Sequence, residues 1–105
     1  MIDAVCMVQD GQIPPATEAS LRTGLNNFSE RVFGEPINIR WVAVPERSGF
    51  TAGKPSTSSI VSLTANRTLD RPERKELLIE ICDFWMEQTK CSLDEVVGVI
   101  NDPAE

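Results

Sequence analysis

Three cations sit where the chain could use them chemically: Arg67 in the turn Thr64-Ala65-Asn66-Arg67-Thr68, Arg40 beside Trp41 inside an apolar run, and Lys54 between Gly53 and Pro55. A guanidinium is planar and can hold a carboxylate through two parallel hydrogen bonds, so Arg67 suits the grip of a small acid. A solvated loop arginine or an ion pair between subunits is the alternative. Arg40 must be paired or line a cavity, because a charge in mid-strand cannot lie bare in an interior; an ion pair with a neighbouring chain competes with a ligand contact. Lys54 either adds positive potential to a pocket or is solvated. Phe50, an apolar residue in a loop, reads as tucked into a subunit boundary, and Asn101-Asp102 before Pro103 reads as turn chemistry.

Other chemistries are excluded by what the chain lacks. It has no histidine, so the commonest general base and the Ser-His and Cys-His nucleophile pairs are absent, and catalysis would rest on amines, carboxylates or guanidinium groups. Cys6, Cys82 and Cys91 have no CxxC spacing and are odd in number, which suggests neither a zinc site nor a disulfide framework but reduced thiols in a cytoplasmic protein. No metal or cofactor is expected. A net charge of -6 without blocks of like charge argues against nucleic acid. No apolar stretch nears the roughly 20 residues that span a bilayer, so no membrane association is expected.

These residues are positioned by a pattern that occurs twice. Leu21, Leu25 and Phe28 recur 56 positions later as Leu77, Ile81 and Phe84, a helical apolar spacing in both halves (from 21 to 77). Each helix lies between two short apolar runs, Ile2 to Val8 and Ile37 to Val44, then Ser59 to Ala65 and Val96 to Ile100. The chain therefore reads as one α+β domain over 1–105. It is a tandem of β-α-β units at about 1–45 and 58–103, joined by a long loop over 45–58.

Helix one is predicted from about Ala16 to Phe33, with Gly34 as its terminating glycine. Asp70, with Glu73 three residues on, opens helix two, which runs to about Thr89. Ser92 to Glu95 reads as a short helical turn. Cys6 in a doubly apolar strand, and Cys82 and Trp85 on the packed face of helix two, read as core.

Right-handed crossovers place both helices on one face of a four-stranded mixed sheet. The other face stays uncovered, yet Ile39 to Val44 and Val96 to Ile100 are apolar on both sides. The uncovered face is therefore expected to be buried against further copies of the chain, giving an obligate oligomer.

The pattern resembles the tautomerase superfamily, which includes 4-oxalocrotonate tautomerase, macrophage migration inhibitory factor (MIF) and cis-3-chloroacrylic acid dehalogenase. The likeness rests on Asn66-Arg67-Thr68, on Glu73 to Leu78, on Glu95 to Asp102, and on the loop Gly49-Phe50-Thr51-Ala52-Gly53-Lys54-Pro55. It implies a homotrimer with sheets packed round a central axis and a pocket near the start of strand one. It also implies that Arg67 grips a substrate carboxylate and that Phe50 walls the pocket. Members generally use an N-terminal proline as the proton carrier; aligned through Val8-Gln9-Asp10, Met1 falls on that position. Ile2 should leave Met1 untrimmed, so a primary α-amine would replace the secondary one.

Free α-amines titrate at roughly 7.7 to 8.0 and can carry a proton either way near neutrality; apolar walls and nearby cations would favour the free base. The primary amine rotates freely, which costs orientation. The resemblance thus implies an isomerase for a small 2-keto or 2-hydroxy unsaturated acid, with Met1, Arg67, Phe50, Arg40 and Lys54 as candidate site residues. A trimeric binding or scaffold protein that kept the fold without the proline is the competing expectation.

Overall fold

In β1 (Ile2–Gln9) the residues Ile2, Ala4, Cys6 and Val8 are all buried, while Asp3 and Met7 between them are exposed. That period of two marks a strand covered on one face only. The strand, apolar on both faces in sequence, is thus covered on one face within the chain. The structure, a computed structural model, describes residues 1–45, 50–51, 54–55, 58–92 and 95–103.

After β1 come α1 (Pro15–Phe33), β2 (Ile37–Val44), β3 (Phe50–Thr51), β4 (Lys54–Pro55), β5 (Ser59–Thr64), α2 (Arg71–Thr89) and β6 (Val96–Asn101). The two helices have 19 residues each and start 56 positions apart, at 15 and 71, which is the offset of the sequence repeat. The joining segment, expected as a loop, contains a small antiparallel pair with Phe50 opposite Pro55 and Thr51 opposite Lys54. The remainder of the segment, and Leu93 and Asp94 of the expected helical turn, lie outside the described residues.

The main sheet has the order β2-β1-β5-β6. β1 and β2 are parallel, as are β5 and β6, and the two halves join through antiparallel β1 and β5. Register aligns Ile39, Ala4, Leu63 and Ile100 in one row and Trp41, Cys6, Val61 and Gly98 in the next. Both rows face the helices. A Cβ on Gly98 would lie 3.1 Å from Cys82 Sγ and 3.2 Å from a Leu78 methyl, so the missing side chain is what lets α2 press onto β6. Trp85 of α2 is fully buried and packs at 6.2 Å from Trp41 of β2, over which Arg22 of α1 lies at 5.9 Å. Burial of such aromatic surface contributes about 1.5–3 kcal/mol per side chain.

The opposite face carries a row of Val42, Met7, Ile60 and Val97, and beside it a row of Arg40, Val5, Ser62 and Val99. Met7, Ile60 and Val97 are exposed, at 36%, 38% and 49%. Among the described residues no helix covers this face.

Helix ends are closed by local chemistry. Gly34, at φ 71, terminates α1 with its N–H on Glu30 O. Asp70 caps α2 by accepting the Glu73 N–H at 2.8 Å. Only half of the reciprocal cap forms, because the Glu73 side chain is turned to Arg67.

Candidate active site at the start of the first strand

Because β2 runs parallel to β1 with Ile37 opposite Ile2, the residues preceding β2 must lie beside Met1. Because β5 is antiparallel to β1, the residues following β5 come to the same end. Topology alone thus gathers Glu35, Pro36, Asn66 and Arg67 round the chain's first residue.

The contacts are specific. The Met1 α-ammonium donates to Glu35 Oε1 in an ion pair, and Asn66 Nδ2 donates to Glu35 Oε2. Asn66 Nδ2 also donates to the Phe33 carbonyl at 2.9 Å, and Ile2 N–H donates to Pro36 O at 2.9 Å. Buried Ser29 donates its hydroxyl to Glu35 O at 2.7 Å. The Met1 amine first, and then the Asn66 amide, hold the Glu35 carboxyl below its ordinary value. The group that pairs with the amine is thus a carboxylate.

Arg67 follows Asn66 and meets Glu73 through two hydrogen bonds, Nη1 to Oε1 at 2.8 Å and Nη2 to Oε2 at 2.9 Å. Its guanidinium also lies 5.8 Å from the Phe33 ring centroid. Arg67 is therefore already paired with a carboxylate, supplied by α2. This bond lowers the Glu73 carboxyl and raises Arg67 further. Arg74 binds the Ile100 carbonyl at 2.9 Å, the Leu69 carbonyl at 3.0 Å and Asp102 at 2.7 Å, locking α2 to the end of β6. Asp102 also accepts the Leu69 N–H. Its turn role is structural, as the sequence suggests.

Arg40 lies on the uncovered face, exposed, and among the described residues no carboxylate pairs with it. The backbones of Phe50 and Lys54 belong to β3 and β4, but their side chains lie outside the described part. Among the described residues no cluster of three His, Cys, Asp or Glu is placed to hold a metal ion, and no helix is long and apolar enough to cross a membrane.

Sequence reading missed Glu35, Asn66 and Glu73 as partners. The first two were open to inference from strand direction. Glu73 was absorbed into the helix cap.

No family model and no curated protein sequence matches the chain. Solved structures do. Native Ps01740 superposes with a TM-score of 0.87 at 22% identity, covering 96% of this chain and 93% of that one. A fused 4-OT, described as a wild-type symmetric trimer, gives 0.82 at 13% identity over 96% and 85%. A macrophage migration inhibitory factor-like protein from Entamoeba histolytica gives 0.75 at 11% over 98% and 89%. At these identities the likeness is one of architecture, and the chain has the β-α-β-β-α-β fold of the tautomerase-superfamily structures.

Proposed function

We propose that this protein is a tautomerase-like isomerase that moves a proton on a small unsaturated 2-keto or 2-hydroxy carboxylic acid. The reading is supported above all by the Met1 amine, which lies beside Glu35 and Asn66 at the sheet end where Arg67 also stands. In ketonization the 2-hydroxyl proton leaves oxygen and a proton is delivered to carbon. An amine that alternates between ammonium and free base serves both transfers.

The substrate carboxylate needs a guanidinium. Arg67 can supply one only by releasing Glu73, whereas Arg40 is unpaired among the described residues. Arg40 stands opposite Val5, four residues up β1 from Met1, roughly 13 Å at the rise of a strand. That separation within one chain leads us to propose that Arg40 enters the site from a neighbouring copy. The proposal therefore includes a homotrimer, with the row Val42, Met7, Ile60 and Val97 packed against sister subunits. Phe50 then walls the pocket and Lys54 adds positive potential. The proposed setting is cytoplasmic, with a small carboxylate and not nucleic acid or membrane as the partner.

A second reading, a non-catalytic trimeric binding or scaffold protein, is favoured by one observation: both groups needed for chemistry are already engaged, Met1 by Glu35 and Arg67 by Glu73. The experiment is to establish the N-terminal residue by mass and assay phenylpyruvate and 2-hydroxymuconate ketonization. Turnover by the wild type supports the isomerase. No turnover, with none gained in Met1→Pro, supports the binding protein.

A further inference from the structure

We infer that Glu35, braced by Asn66, is the residue that positions the Met1 α-amine. The backbone of Glu35 and Pro36 is tied down on both sides. Ser29 donates to Glu35 O at 2.7 Å, Pro36 O accepts Ile2 N–H at 2.9 Å, and the next N–H, of Ile37, donates to Asn26 Oδ1 at 3.0 Å. Gly34 in the left-handed region turns the chain out of α1 and delivers Glu35 to this place.

The side chain, at the surface, is held by two donors. One carboxylate oxygen takes the Met1 ammonium and the other takes Asn66, whose amide is anchored in turn on Phe33 O at 2.9 Å. Each oxygen therefore has its own donor, and rotation of the carboxylate would break both bonds. A primary amine at the end of a strand otherwise turns freely about its own bonds; here a fixed acceptor defines its direction. Glu35 touches the amine and acts through it, so it is a positioning residue.

This inference rests on the proposed function only in taking the Met1 amine as the working group. Its test needs no turnover. The native wild-type protein is exposed to limiting cyanate at one pH, and carbamylation of Met1 is followed by mass spectrometry against Lys75 and Lys90 as internal references.

Met1 is expected to label several-fold faster in Glu35→Gln and in Asn66→Ala than in wild type, with both lysines unchanged. Where turnover is measured, Glu35→Gln is expected to lower kcat with KM held. Equal Met1 labelling in wild type and both variants, at equal lysine labelling, would overturn the inference. A wild type that protects Met1 but shows no turnover sinks the isomerase reading and leaves the positioning role standing.

Discussion

Arg67 and Glu73 meet in a two-pronged ion pair at 2.8 and 2.9 Å, so one of the two guanidinium groups proposed to take a carboxylate already holds one supplied by α2. Both side chains are about two-fifths exposed, at 42% and 40%. An exposed pair is worth about 0.2–1 kcal/mol, and that is what an incoming acid must overcome. Glu73→Gln is expected to tighten binding of a small carboxylate by up to roughly fivefold, read by calorimetry or KM. Arg67→Lys should abolish that gain, because an ammonium lacks the fork.

Acid should loosen the fold in a definite window. The carboxyls of Glu35, Glu73 and Asp102 are each held below their ordinary values, by the Met1 amine, by Arg67 and by Arg74 respectively. A carboxyl lowered in the folded state contributes stability that is complete above its unfolded value, 4.5 for Glu and 3.8 for Asp, and is lost as pH falls through the folded value. The urea midpoint is expected to be flat from pH 7 to 5 and to decline below. Asp102→Asn and Glu73→Gln should each shallow that decline.

Much of this was legible in the sequence because it is set by local pattern. The repeat of Leu21, Leu25 and Phe28 fixed both helices, and the apolar runs fixed four strands within a residue or two. Phe50–Thr51 pairing with Lys54–Pro55 was not legible, since strands of two residues carry no period. The site was half legible. Arg67 stood out by its turn, but whether its fork faces solvent, ligand or Glu73 depends on the pitch of α2, which no spacing encodes. Glu35 was overlooked as an ordinary residue between a terminating glycine and a proline, although parallel pairing of β1 and β2 already sent it to Met1.

Thiol reactivity should divide the cysteines. Cys6 is fully buried between Trp41 and Val61 in register, and burial pushes its thiol up to about 12. Cys82 and Cys91 are partly exposed. With a maleimide at pH 7.5, Cys91 is expected to react in the native state, Cys82, whose thiol burial also raises, more slowly, and Cys6 only at the rate of unfolding. Prompt modification of Cys6 would contradict the packing of β1.

The uncovered sheet face gives the sharpest test of assembly. Ile60 sits between Met7 and Val97 in the exposed apolar row. Sedimentation of the wild type at micromolar concentration is expected to report a trimer. Ile60→Asp, which would bury an unpaired charge against a sister subunit, is expected to sediment as a monomer. A wild-type monomer would sink the shared pocket.

The most direct measurement of the account is the rate of phenylpyruvate or 2-hydroxymuconate ketonization as Met1 is progressively carbamylated. The account predicts that turnover falls in proportion to the fraction of Met1 blocked, with the oligomer intact. Turnover that persists after complete blocking of Met1, or none by either the wild type or Met1→Pro, would contradict it.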